Sequence, residues 1–520
     1  MFEIILYHVI TTYHLINAIV HSSISNETGV LICPEWFKQK FKDIEYLNCF
    51  FYKIIFVDIN YRFTHSSKES KNYFKNKIGD LNQYSEIFVW GAQYSFGVIL
   101  VENNKSFIFC EEGAGLLSRK YILKEIEKKL PTRVKYYDEI EKLGIYDITS
   151  ECIKFKLCNF EAQDSNYICD DTIINFNVID ELKKMKIENR EKIIKFFDIK
   201  NNIKIKENSI LLLTQSYAKL NILAFEDQVL IYQLLLDYFF ENEKLVIKPH
   251  PDDIMYYSKL FPEAQIIREK FPSEFMPFIF NNQPKCVATI SSTAIFNLHG
   301  VYPEIFELDT KFEKDFKMIH RYYASIILAK KLSKKIVCIG TNNKLIQQLC
   351  KKVGLNEKYI LQDWDNKKGI NNAILLVDDI NYDNLLDRTE IINILDKLND
   401  DSLVIFINST NDYCWYDYYH KYLWDYMKPI VLSKELFGEK KEDFYADLDD
   451  DVIYIYSKNK EVMKLIDEIN IEKNLQHTGI SINKMNLTPE QERIKILEGI
   501  LAATERRLLY YIEKEKQVNE

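Results

Sequence analysis

Three short stretches carry side chains able to do chemistry. In FIFCEEGAG an apolar run ends in Glu111 and Glu112 and passes into Gly113-Ala114-Gly115. In KLVIKPHPDD another apolar run ends in Lys248-Pro249-His250-Pro251 and two aspartates. In ATISSTAIFN the hydroxyl residues Ser291, Ser292 and Thr293 follow a third run. Adjacent carboxylates repel, which raises the pKa of one of them. A carboxylate raised in this way can serve as a general base, or the pair can simply cap the helix that the glycines are expected to open. Each proline fixes its own φ and restricts the residue before it, so His250 is held rigidly at a strand end. An imidazole there can donate to a phosphate or protonate a leaving group. Three small hydroxyl residues ahead of a helix make an anion site or a plain N-cap.

These residues need a scaffold that brings strand ends together. Short β-branched and aromatic runs alternate with helical patterns along most of the chain, which implies parallel sheets built from βαβ units. FEIILYH, GVLICP, KIIFVD, EIFVWG and SFIFCEE read as strands of a first Rossmann-like domain, residues 1–165, with TYHLINAIVHS as a helix. Residues 166–207 read as a polar connector with one helix, DELKKMKIENREKIIKFF. SILLLTQSY, KLVIKPHP, AQIIRE, CVATIS and PEIFELD build a second Rossmann-like domain, residues 208–330. An accessory α/β domain follows over 331–486, and residues 487–520 read as an amphipathic helix with a capping box at Thr488, Pro489 and Gln491. The accessory domain has no GxGxxG, only Gly340 after IVCI. The expected fold is therefore α/β: two Rossmann-like domains facing a cleft, an extra C-terminal α/β unit and a terminal helix. Ligands of open α/β sheets bind at the carboxyl ends of strands, where all three stretches fall.

Composition removes several classes. The chain has 520 residues and a net charge of −9, which argues against a general nucleic-acid binder. Its ten cysteines form no CxxC pair and no zinc-spaced cluster, so they read as buried thiols and no metal is expected. The amino terminus is apolar but carries Glu3, His8 and His14 and lacks a basic segment, so it does not read as a signal peptide. No run of about 18 uncharged apolar residues follows, so a cytoplasmic protein is expected. Peripheral contact with a membrane face and homo-oligomerisation are the further expectations for the terminal helix, whose basic residues are diluted by Glu492, Glu498 and Glu505.

The order EEG, KPHP, SST resembles the acidic-acidic-Gly, His-Pro and Ser-Ser/Thr motifs of the bacterial sialyltransferases and polysialyltransferases, most nearly the lipooligosaccharide sialyltransferases of glycosyltransferase family 52. TTYHLINAI and LLLTQSY are similar to segments of that group, and the resemblance covers about residues 1–325. It implies a GT-B-like pair of domains and a metal-free, inverting transfer of sialic acid, or a related nonulosonate, from a CMP-activated donor. The acceptor would be a hydroxyl of a bacterial surface glycan, lipooligosaccharide or capsule. On this resemblance Glu111 or Glu112 deprotonates the acceptor, and His250 stabilises or protonates the departing phosphate. Gln215, Lys248, Pro251, Ser291, Ser292 and Thr293 form the donor-binding set, and no cofactor is required. The runner-up readings are a nucleotide-sugar epimerase of similar fold and a non-catalytic scaffold of glycan assembly. Trp90, Tyr94 and Phe96 are open between acceptor stacking and core.

Overall fold

In a computed structural model of the chain, the residues described are 3–308 apart from short breaks at 26, 130–133, 169, 200–201, 221, 252 and 254, and then 319–339, 343–355, 360–361, 371–377, 397–406, 427–431, 452–457 and 459–461. They divide into two units. The first comprises residues 1–208, 268–287 and 292–305; the second comprises 209–267, 288–291 and 306–520.

The first unit is built on seven strands: β1 (Ile4–His8), β2 (Thr28–Pro34), β3 (Lys53–Val57), β4 (Glu86–Trp90), β5 (Phe107–Cys110), β6 (Ile153–Cys158) and β7 (Ile173–Asn175). Their order is β3-β2-β1-β4-β5-β6-β7, and every pair is parallel. The runs IILYH and FIFC are nearly continuous apolar sequence because a parallel sheet is covered on both faces. Winding reverses between β1 and β4, so the carboxyl ends of those strands border the crevice in which such sheets bind ligands. Helix α1 (Thr12–Ile24) leaves β1 and starts beside that crevice.

β6 falls where no strand is expected within residues 1–165, and β7 falls in the stretch expected as a polar connector; both join the first sheet. The single helix expected in the connector is two, Val178–Lys184 and Ile187–Phe196, with Met185 and Lys186 extended between them. The break lets each half bury its own apolar face: Val178, Ile179 and Leu182 in one, Ile193, Ile194 and Phe196 in the other.

A five-stranded sheet contains β8 (Ile210–Leu213), β9 (Leu245–Lys248), β10 (Gln265–Ile266), β11 (Cys286–Thr289) and β12 (Ile305–Glu307), in the order β10-β9-β8-β11-β12. It reverses between β8 and β11. A six-stranded sheet follows: β13 (Lys335–Ile339), β14 (Ile360–Leu361), β15 (Ala373–Val377), β16 (Leu403–Phe406), β17 (Met427–Val431) and β18 (Val452–Tyr456). Its order is β14-β13-β15-β16-β18-β17, with β18 antiparallel to both neighbours. This sheet lies in the stretch expected to form an extra α/β unit and belongs to the second of the two units; β17 falls where no strand is expected. The acidic run 449–451 and the capping box at Thr488 lie outside the described residues.

Candidate functional site

The acidic pair sits where β5 ends, but no helix opens at Gly113. Residues 112–118 form turns, and the next helix is Lys120–Lys129. Gly115 shows why: its φ of +76° is left-handed, and a Cβ there would stand 2.5 Å from the carbonyl of Ala162. The turn lets the two carboxylates take separate surroundings.

Glu111 is 4% exposed and locked. Its Oε1 accepts from the backbone N–H of Asn159 at 2.7 Å, and its Oε2 accepts from Gly115 N–H at 3.1 Å and Gln163 Nε2 at 3.0 Å. Burial pushes its carboxyl up to about 8, while these three donors and nearby Arg119 pull it down. The raised pKa was expected from repulsion by Glu112; its cause is burial. With both oxygens engaged, Glu111 braces the loop.

Glu112 faces the crevice instead. Its Oε1 accepts from Gly91 N–H at 2.5 Å, just past β4, and its Oε2 accepts from Gln93 Nε2 at 3.1 Å. Gly91 has φ +71°, which suits glycine and turns its N–H toward the carboxylate. From α1, His14 Nε2 reaches the Glu112 carbonyl at 3.0 Å and Oε2 at 3.6 Å. The Glu112 side chain keeps 10% exposure. This carboxylate therefore stands at the reversal point between β1 and β4, held by the loop after β4 and by α1.

Of the SST stretch, Ser291 belongs to the second unit, while Ser292 and Thr293 belong to the first. The second domain expected from sequence, residues 208–330, contains all three. No regular α-helix follows; Thr293–Leu298 is a 3-10 helix, and Ser292 makes no side-chain cap bond to it. Instead that helix packs on the acidic loop. Thr293 Oγ1 lies 3.6 Å from where a Cβ on Gly113 would stand, and Arg119 stacks on Phe296 at 4.0 Å. Asn297 accepts from Asn159 Nδ2 at 2.9 Å and donates to Glu274 at 3.0 Å. A buried polar chain thus runs from Glu111 through Asn159 and Asn297 to Glu274.

In the second unit His250 is half-buried just beyond β9. Its backbone N–H donates to Thr214 Oγ1 at 3.1 Å, and its Nδ1 lies 3.5 Å from Ser216 Oγ. Thr214 in turn donates to Asp253 at 3.1 Å. Asp253 also accepts from Met255 N–H at 3.1 Å, from the Tyr257 hydroxyl and from Gln228. Burial pushes the Asp253 carboxyl up, against those bonds. The two prolines therefore share the work of holding His250 with a half-buried aspartate three residues on. Gln215 N–H donates to the Tyr232 hydroxyl at 2.7 Å, and its carbonyl accepts from Gln228 at 3.0 Å. Ser291 Oγ is 2.6 Å from the Tyr217 hydroxyl. Lys248 is buried at 7% exposure, and Pro251 is exposed.

Pattern reading missed His14, Gln93, Asn159, Gln163, Thr214 and Asp253. Two had signals: His14 stands three residues after Thr11, the reciprocal position of a capping box, and Asp253 closes HPDD. The others have no local signal. Trp90 and Phe96 are each 1% exposed and belong to the core, which leaves Tyr94 as the partly exposed ring of the three. Among the described residues no cluster of three or more His, Cys, Asp or Glu could hold a metal ion, and no helix is long and apolar enough to cross a membrane.

Residues 51–306 match the alpha-2,8-polysialyltransferase (POLYST) family, a stretch that contains every residue proposed from sequence for chemistry. The matched stretch is just under half of the chain, and it supports a glycosyltransferase. The chain is also 26% identical over 218 residues to an uncharacterised protein of Haemophilus influenzae, covering 41% of this chain and 65% of that one, under two thirds of its length. Among solved structures it is similar to the UDP-GlcNAc 2-epimerase of Methanocaldococcus jannaschii in complex with UDP-GlcNAc and UDP, at 13% identity and a TM-score of 0.39 over 69% of this chain and 94% of that one. It is similar also to the glycotransferase of kitacinnamycin, at 10% identity and a TM-score of 0.33 over 59% and 80%. Overlaps this loose carry no argument about chemistry.

Proposed function

We propose that the protein is an inverting, metal-independent glycosyltransferase that moves sialic acid, or a related nonulosonate, from a CMP-activated donor to a hydroxyl of a bacterial surface glycan. The observation that carries this reading is the placement of Glu112: a carboxylate at the sheet's reversal point, with 10% exposure, held by the loop after β4 and by α1, inside the stretch that matches the sialyl-transferring family.

Glu112 is the base. It takes the proton of the acceptor hydroxyl as that oxygen attacks the anomeric carbon, whose bond to the CMP phosphate breaks. Gly91 N–H and Gln93 steady the carboxylate without removing its basicity. Negative charge grows on the departing phosphate, and His250 on the second unit donates to it, which stabilises the transition state. Gln215, Lys248, Pro251, Ser291, Ser292 and Thr293 complete the proposed donor-binding set. The reading places the protein in the cytoplasm, where CMP-sugars are available. Glycan acceptor, peripheral membrane contact and self-association are parts of the same proposal.

Thermal unfolding with CMP, CDP, UDP and GDP tests it, because a ligand selective for the folded state raises the midpoint. The expected result is a shift with the cytidine nucleotide CMP that disappears in His250→Ala. A shift with UDP or GDP and none with CMP refutes the donor class.

A further inference from the structure

The capping box that opens α1 holds a histidine where the motif ordinarily carries Glu or Gln. Thr11 Oγ1 accepts from His14 N–H at 3.2 Å. In return His14 Nδ1 accepts from the backbone N–H groups of Thr11 at 3.3 Å and Ile10 at 3.2 Å. A ring nitrogen that accepts carries no proton, so the proton of the neutral imidazole is on Nε2. Nε2–H then has one place to go: it donates to the Glu112 carbonyl at 3.0 Å, 98 residues away in the chain. The ring has no exposed side-chain surface, and burial pushes its pKa down to about 3.

We propose that His14 is the positioning residue of Glu112: it ties the start of α1 to the Glu112 backbone and so sets where the carboxylate stands against Gly91 and Gln93. The proposal rests on the reading of Glu112 as base. It also explains the residue type. Glutamate would satisfy the capping box but has no proton to donate, and it would put a second negative charge 3.6 Å from Oε2. Glutamine has both an acceptor and a donor and could do both jobs. The other titratable groups around Glu112 are Glu111 and Cys110 from β5 and its loop, and His8 at the end of β1, whose Nδ1 donates to the Trp90 carbonyl at 2.8 Å. His14 lies outside the stretch 51–306 that matches the family.

The test compares His14→Gln with His14→Glu in the full chain, reading kcat, the KM for the donor, the pH profile and the unfolding midpoint. His14→Gln is expected to keep kcat within severalfold. His14→Glu is expected to keep its cap and its donor KM, to lose about tenfold or more in kcat, and to move the acid limb of the profile upward by about one pH unit, since a neighbouring carboxylate raises the pKa of Glu112. Equal losses in both variants, or an unmoved acid limb in His14→Glu, overturn the proposal. A second measurement does not depend on turnover. The ¹⁵N spectrum of the His14 ring, assigned by its absence in His14→Gln, is expected to show the Nε2–H tautomer, unprotonated down to about pH 4. An Nδ1–H tautomer, or protonation near pH 6, overturns it. If the wild type releases no CMP from a CMP-sugar, the reading of Glu112 as base fails separately, and the ring spectrum still decides whether His14 holds Glu112.

Discussion

The acidic loop of the first unit and the histidine loop of the second are both strand-end turns, yet they are held in different ways. Glu111 and Glu112 depend on partners far along the chain: Asn159 and Gln163 for one, Gly91, Gln93 and His14 for the other. The acidic loop forms only when β1, β4, β5 and β6 are already in register. His250 depends on Thr214 and on Asp253 in its own turn. The base is thus set by the whole sheet, whereas the histidine is set mainly by its loop and one neighbouring strand. A change at the first should disturb geometry over a wide area; a change at the second should stay local.

Four variants break or sharpen that contrast, and a chelator test checks the mechanism beside them. The largest effect is expected from Glu112→Gln, which keeps shape and loses the base: transfer should fall by about 10²–10⁴ with the unfolding midpoint within a few degrees of wild type. Near-normal turnover in this variant would falsify the assignment. His250→Ala should lose about 10²–10³ in rate together with the CMP-dependent stabilisation, because one donor to the leaving phosphate is gone. Retained CMP stabilisation in that variant would remove His250 from the donor site.

Thr214→Val deletes the hydroxyl that both accepts from His250 N–H and donates to Asp253, so the half-buried His250 N–H loses that acceptor and Asp253 keeps one donor fewer. It should cost about 1–3 kcal/mol of stability and a smaller part of the rate. An unchanged midpoint would mean that the loop is held by its prolines alone.

The smallest effect is a pH slope. The Glu111 carboxyl is raised to about 8 from an ordinary 4.5. A raised carboxyl binds its proton more tightly in the folded chain, so its contribution to stability is full below about pH 4.5 and is lost as pH rises through about 8. Glu111→Gln should flatten that decline while leaving transfer within about an order of magnitude, since Glu111 braces the loop and is not the base. A slope that persists in Glu111→Gln assigns it to other groups. Chelator should leave transfer unchanged; a large loss would overturn the metal-independent mechanism.

Sequence pattern reached the class of the fold because parallel strands covered on both faces must be apolar along their length, and FEIILYH, EIFVWG, SFIFCEE and KLVIKPHP all are. It did not reach β6, whose first residues are partly exposed and alternate with lysine, or the two-residue length of β10. It found residue types able to carry a base and a phosphate contact, because EE, HP and SST are contiguous.

Residue types and strand ends, then, are what the sequence by itself determined. The tertiary structure alone decided which carboxylate is braced and which faces the crevice. Glu111 and Glu112 are neighbours of the same type, and only the sheet's register sends one toward Asn159 and Gln163 and the other toward Gly91. It also decided that Ser292 and Thr293 pack with the acidic loop, and that a histidine near the amino terminus holds a residue 98 positions away. Those outcomes come from contacts between distant segments, which local pattern does not contain.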